Sequence, residues 1–118
     1  MELIRGNAIL EGASTRGWFV GAFIDSNSGL VKNGDVEVKW GIHPKGEKRT
    51  SKADSGDATT LSILIQGEYA IRFNDEEIVL RKAGDYIIFM PNQPHDLEAL
   101  EDTVIITVRW PSLSSNKN

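Results

Sequence analysis

Hydrophobic and polar residues alternate along much of the chain, the pattern of strands with one face buried. In the segment 36–42 every second residue is apolar, including Trp40, whereas Glu37 and Lys39 lie on the opposite face. From residue 61 to 110, short runs of this kind are separated by Gly, Asn, Asp and Pro. No stretch keeps apolar residues at helical spacing over three turns. The pattern therefore predicts an all-β barrel or sandwich.

The regions outside this pattern are expected to be peripheral. Residues 45–58 are polar and contain Gly, which predicts a long loop. Residues 1–35 hold at most a short strand at 2–5, then an apolar segment, 18–24, and a turn-rich stretch. The polar tail 111–118 is expected to fray. We expect a single domain over 1–118, with its core barrel at about 36–110.

Composition and charge exclude several classes of protein. The chain has 118 residues, a formal net charge of −4 and no cysteine. Acidic balance argues against a nucleic-acid partner, which usually requires a basic surface. The N-terminal residues lack a signal-peptide pattern, and no apolar run reaches the roughly 20 residues of a membrane helix. We expect a cytoplasmic protein with no membrane partner.

One segment carries a specific motif. Gly84 and Asp85 form a turn, an apolar strand follows, and a corner containing Pro91 and Asn92 leads to His95. This segment resembles the second motif of the cupin family, with Asn92 where Gly is usual. Asn tolerates a positive φ better than most residues.

Two upstream segments extend the resemblance to about residues 36–110. Residues 64–69 resemble the end of the first cupin motif, and residues 43–47 resemble the corner that precedes it. The resemblance implies a double-stranded β-helix, also called a jelly-roll barrel.

The resemblance also implies a metal site of three His and one Glu, and this chain departs from it. Only two His are present, His43 and His95, and the position of the family's Glu falls on Thr60. The usual site cannot form, and no cofactor is expected. A divalent metal remains possible if both His converge with Glu47 or Asp54, a two-His-one-carboxylate set.

His95 is the strongest single candidate. Strand alternation places it on one face with Leu97 and Ala99, aimed into the barrel, where it can bind an anion or move a proton. Metal-free cupin epimerases use a His and a Tyr for acid–base chemistry, so the resemblance makes Tyr69 and Tyr86 catalytic candidates. The alternative is that both tyrosines only pack. For His43 an exposed place at the end of a strand is the favoured alternative.

Trp40 and Trp110 are expected in the core, and either can also form a wall against which a ligand stacks. Lys39, Arg72 and Arg109 lie on strands among apolar residues. An inward cation would favour a carboxylate or phosphate ligand, although a surface position is commoner. With His95, Trp40 and Arg109 are our candidates for ligand binding.

Three functions remain open from the sequence. The first is a binding protein for an unidentified small molecule, with His95 as its polar anchor. The second is an enzyme, either a metal-free isomerase or epimerase or a metalloenzyme with an unusual ligand set. The third is a regulatory or structural module. The apolar residues within 18–24 also lead us to expect a homodimer, in which this segment completes a sheet or crosses to a second subunit.

Overall fold

The computed structural model describes residues 3–24, 31–53 and 56–112. Within these ranges the chain forms ten strands and one short helix, which confirms the all-β prediction. The elements are α1 Ala8–Glu11, β1 Trp18–Gly21, β2 Val31–Lys32, β3 Glu37–His43, β4 Lys48–Ala53, β5 Thr59–Gln66, β6 Tyr69–Arg72, β7 Glu77–Leu80, β8 Tyr86–Phe89, β9 His95–Ala99 and β10 Thr103–Trp110.

The strands form two sheets that pack against each other. The larger has the order β2-β1-β3-β10-β5-β8, and the smaller has the order β4-β9-β6-β7. Both sheets contribute to the buried core, which consists of Leu64, Tyr69, Ile71, Leu80, Ala99 and Ile105. Within the described ranges, no helix has the length and apolar character needed to cross a membrane.

Strand β10 lies in the middle of the larger sheet, and its register aligns inward side chains into rows. Directly opposed residues on antiparallel strands point to the same face. The first row is Glu37, Arg109 and Thr60, the second is Lys39, Thr107 and Ser62, and the third is Gly41, Ile105 and Leu64. The inner surface therefore changes from charged, through hydroxyl-bearing, to apolar along the barrel.

The inward face of β3 is its polar face. The expectation that Trp40 on β3 and Trp110 on β10 lie in the core is therefore corrected. Glu37 is 0% exposed, whereas Ile42, on the other face, is 58% exposed. Trp40 shares the outer face with Ile42 and is half-buried, and Trp110 is 41% exposed. Alternation defines two faces but does not say which is inside. Here the ion pair of Glu37 with Arg109 compensates the burial of charge.

The segment 45–58 is not one long loop, because it contains β4. This strand pairs with β9 at the edge of the smaller sheet. Lys48 and Arg49 are exposed there, which explains why a paired strand has a polar sequence. Asp54 lies outside the described residues.

The N-terminal part also differs from expectation. Residues 3–7 form no strand, and Asn7 caps the helix α1 by accepting hydrogen bonds from the Ile9 and Leu10 amides. Strand β1 joins β3 of the same chain, and Trp18 and Ile24 are buried. The apolar segment 18–24 thus completes a sheet within its own chain. The turn-rich stretch 25–29, Glu2 and residues 113–118 lie outside the described residues.

Candidate functional site

A cavity of about 40 Å³ lies between the two sheets. Its apolar walls are Trp18, Ile71, Phe89, Leu97 and Ile105, and its polar walls are Lys39, His43, Arg49, Thr60, Ser62, Tyr69, His95, Thr107 and Arg109. Of the described residues that line it, three are cationic and none is acidic. The cavity therefore presents an excess of positive charge.

Lys39 enters the cavity from the second row of the barrel interior. Its Nζ lies 5.8 Å from the centroid of the Trp18 ring and makes no hydrogen bond or ion pair with any described residue. Burial, reinforced by the nearby cations of Arg109 and Arg49, lowers the pKa of Lys39 to about 8. A substantial fraction of this amine is therefore neutral near physiological pH.

Arg109 lies in the adjoining first row and, like Lys39, lies near the indole ring of Trp18. Its Cζ is 5.0 Å from the Trp18 centroid, and its Nη1 is 3.8 Å from Oε1 of the buried Glu37. Burial lowers the pKa of Arg109, which nevertheless stays charged. Its Nε–H is buried and has no hydrogen-bond acceptor in the described part of the chain. One donor of this guanidinium therefore remains available to a ligand.

Thr60 stands directly opposite Arg109 across β5 and β10. It is 1% exposed, and its hydroxyl also has no hydrogen-bond partner among the described residues. One row further in, the hydroxyls of Ser62 and Thr107 lie 3.2 Å apart and bond to each other. Buried polar groups are normally satisfied, yet Thr60 Oγ1, Arg109 Nε and the neighbouring Glu37 Oε1 make no hydrogen bond to the described residues. Thr60 and Arg109 therefore leave two adjacent donors to the cavity.

His95 points into the barrel, as its strand phase predicts. It is 3% exposed, and its Nδ1–H donates to the Gln93 carbonyl oxygen at 2.7 Å. In the neutral ring this bond places the lone pair on Nε2. The ring packs against Phe89 and Phe73, with centroids 4.8 Å and 5.7 Å away. The imidazole is therefore held at the apolar end of the cavity.

His43 is not an exposed residue at a strand end, because it also lines the cavity. Its Nδ1 lies 2.6 Å from Oε1 of Glu47, and its ring stacks beside Tyr69 with centroids 5.2 Å apart. Burial lowers the pKa of His43 against the opposing effect of the Glu47 hydrogen bond, and burial raises the pKa of Tyr69. A neutral imidazole oriented by a carboxylate is a competent proton carrier.

Comparisons with solved structures place this geometry in a known fold. KdgF from Halomonas sp. superposes with a TM-score of 0.63 at 19% identity, covering 71% of this chain and 77% of that chain. A cupin superfamily protein from Desulfitobacterium hafniense DCB-2 gives 0.61 at 21% identity, covering 69% and 72%. The plu4264 protein from Photorhabdus luminescens gives 0.56 at 32% identity, covering 66% and 64%.

This chain has the fold of a small cupin domain. No protein-family model and no curated protein matches the sequence. The backbone supports the second cupin motif, because Asn92 adopts a φ of 62° at the position where the family usually has Gly. The turn that begins the motif has Gly84 at a φ of 95°.

The cupin barrel does not bring every predicted residue to the cavity. Trp40 lies on the outer face of β3 and does not line this cavity. Tyr86 is 62% exposed at the start of β8 and does not line the cavity that contains His95. Arg72 lies at the surface and pairs with Glu77 and Glu98. Strand phase explains all three, since each points away from the barrel axis.

The sequence did not predict that four polar residues line the cavity: Arg49, Thr60, Ser62 and Thr107. It also did not predict that the Thr60 hydroxyl is a buried donor. A signal was present for Thr107, because it lies two residues before Arg109 and therefore shares its face. Thr60 and Ser62 show the same spacing on β5, but register is needed to place them beside β10. Arg49 could not be predicted as a lining residue, because the segment 45–58 is expected from its sequence to be a loop and not to contain the strand β4.

Among the described residues, the candidate ligands His43, Glu47 and His95 do not form a site for a divalent cation. His43 is already hydrogen-bonded to Glu47, and both His43 and His95 line a cavity with three cationic side chains. Within the described ranges, no group of three or more His, Cys, Asp or Glu side chains is close enough to hold a metal ion. The donor set instead suits an anion.

Proposed function

We propose that this cupin barrel binds a small organic anion, with the charged group held between Lys39, Arg109 and Thr60. The observation that carries the proposal is the pair of buried donors on Thr60 and Arg109, which face a cavity lined by cations and no carboxylate within the described residues. An anion accepts hydrogen bonds from both donors and offsets the repulsion between Lys39 and Arg109.

The shape of the cavity limits the ligand. A buried water needs roughly 10–15 Å³, so a cavity of about 40 Å³ accommodates a small head group such as a carboxylate. The first and second rows supply its polar contacts, and Phe89 and Ile105 provide an apolar wall for a short carbon chain. His95 then lies beside the carbon chain of the ligand.

Thermal unfolding tests this proposal with acetate, pyruvate and phosphate at constant ionic strength, against chloride. A ligand that binds only the native state raises the Tm, by an amount that grows with the logarithm of its concentration above the Kd. We expect acetate or pyruvate to raise the Tm of the native chain, and Lys39→Met to reduce that rise severalfold. Lys45→Met, which removes an exposed lysine, is the matched control. A rise that is equal in all three proteins contradicts the site.

We also propose that the protein is a homodimer. The surface that supports this is the outer face of the larger sheet and not the expected segment 18–24. The outer face of β3, β10, β5 and β8 carries six of the exposed large hydrophobic side chains of the described residues: Ile42, Ile65, Tyr86, Ile88, Met90 and Trp110. Monomers rarely expose a continuous apolar patch of this kind. Homodimer interfaces are more apolar than those of transient partners, which favours a second copy of this chain as the occupant.

Sedimentation at micromolar concentration tests the dimer. We expect the native chain to sediment as a dimer and Ile88→Glu as a monomer with unchanged circular dichroism. Leu10→Glu is the matched control, because Leu10 is 75% exposed and lies on α1, outside the four strands of this sheet face. A monomeric native chain, or dissociation by both substitutions, contradicts the assignment of the sheet face.

A further inference from the structure

Lys39 differs from an ordinary structural lysine in its lack of partners. Its Nζ faces the cavity, and no carboxylate or carbonyl oxygen of the described residues bonds to it. Its contact is instead with the Trp18 ring, whose centroid lies 5.8 Å from Nζ. Glu47, the acidic group nearest in effect, is already bonded to His43.

The neighbours of Lys39 favour the neutral amine. Arg109 approaches the same indole, and Arg49 lines the same cavity. Placing a lysine beside other cations in a desolvated cavity is a known way to make an amine nucleophilic at neutral pH. The lowered pKa agrees with this geometry.

The geometry points to Lys39 as a nucleophile that forms an imine with the carbonyl carbon of a small 2-oxo acid. This inference rests on the proposed anion site, because Arg109 and Thr60 hold the carboxylate of the same molecule. The carboxylate and the carbonyl of a 2-oxo acid are on adjacent carbons. They match a guanidinium and an amine that enter the cavity from adjoining rows.

The step is balanced without any oxidant or reductant. The Nζ lone pair forms a bond to the carbonyl carbon, and the carbon–oxygen π electrons move to oxygen. The two protons lost by nitrogen leave with that oxygen as water, and a carbon–nitrogen double bond remains. Neutral His43 lies four residues from Lys39 on the same face of β3, also lines the cavity, and is our candidate to carry these protons.

Reductive trapping of the full chain with pyruvate and cyanoborohydride tests the inference. We expect one adduct per chain, located on Lys39 by peptide mapping. At pH 7 its initial rate should exceed that of surface lysines on the order of 100-fold, because an amine with a pKa near 8 is deprotonated far more than one near 10.5. Trapping at Lys39 should level off above pH 8, whereas trapping at surface lysines should continue to rise.

Variants and a competitor separate the possible outcomes. Lys39→Arg should abolish the specific adduct, Lys48→Arg should leave it intact, and excess acetate should slow it. If pyruvate raises the Tm but labels Lys39 no faster than Lys48, the imine is wrong and anion binding stands. If neither pyruvate nor acetate raises the Tm and labelling is uniform, the anion site is wrong as well. The native chain alone gives the peptide map, so a poorly folding variant does not obscure the result.

Discussion

Thr60 and Arg109 face each other across β5 and β10, and each keeps a buried donor without an acceptor in the described part of the chain. Leaving a buried polar group unsatisfied costs about 1–3 kcal/mol. Two such groups at one point of the barrel are a stability cost that a structural role does not explain. A ligand that accepts both hydrogen bonds removes the cost, which connects the fold to the proposed function.

Replacing Thr60 should therefore stabilise the unliganded protein. Thr60→Val keeps the side-chain shape and removes the unsatisfied hydroxyl, and we expect the free energy of unfolding to rise by about 1 kcal/mol. Chemical denaturation without added anion measures this change. The same variant should lose much of its stabilisation by acetate.

Thr103→Val is the matched control, because Thr103 is similarly buried but its hydroxyl has two carbonyl oxygens as acceptors within hydrogen-bond distance, those of Glu68 and Glu101. Its replacement should lower the free energy of unfolding by about 1–2 kcal/mol. Equal destabilisation by both substitutions would show that the Thr60 hydroxyl has a partner in solution.

The lowered pKa of Lys39 predicts a pH dependence with a definite sign. Between about pH 8 and 10.5 the unfolded chain binds the proton that native Lys39 has lost, so the free energy of unfolding rises with pH across this window. The contribution is at most about 3 kcal/mol. Lys39→Met should therefore be more stable than the native chain below pH 8, and the difference should shrink toward pH 10.5.

Denaturation at several pH values, with Lys45→Met as the reference for surface lysines, measures this difference. A constant difference between Lys39→Met and the native chain from pH 7 to 10 is incompatible with a lowered pKa. Affinity for acetate should fall over the same window, since the amine loses its charge.

Arg109 should be coupled to Glu37. Arg109→Met leaves the Glu37 carboxylate, which is 0% exposed, without its cation, and such a change costs about 3–5 kcal/mol. Combining it with Glu37→Gln should recover more than half of the loss. A double-mutant cycle on the free energy of unfolding gives the coupling, and additive effects would disprove the pair.

The environment of His43 can be read directly by NMR. Burial lowers the pKa of His43 below its ordinary value of 6.5, and the hydrogen bond that the ring donates to Glu47 raises it, so Glu47→Gln should lower the pKa further. Because native His43 resists protonation, stability should fall as the pH drops through 6.5. The chain has only two His, which simplifies the titration. An unchanged pKa in Glu47→Gln would mean that the bond is absent in solution.

Much of the fold could be predicted from local sequence. Alternation located most strands, and the spacing from Gly84 to His95 identified the motif that gives this barrel its corner. The same alternation placed His95 inside with Leu97 and Ala99, as observed. These features depend on residues close in sequence, where the period of a strand is sufficient.

The candidate site was harder to predict because it depends on register and on which face is inside. The rule that apolar residues face the core placed Trp40 inward, whereas β3 buries Glu37 and Lys39 instead. Their partners, Arg109 and Thr107, are about 70 residues away in sequence. Only the pairing of β3 with β10 shows that cations converge, so the anion site could not be derived from composition or motif.

The most direct measurement is an NMR titration with pyruvate that observes the Arg109 side-chain Nε–H and the Thr60 amide. We predict that both resonances shift together and saturate at one pyruvate per chain, with no comparable shift at the surface residue Arg72. Resonances at Arg109 and Thr60 that stay unchanged while surface arginines respond weakly and without saturation would contradict anion binding in this barrel.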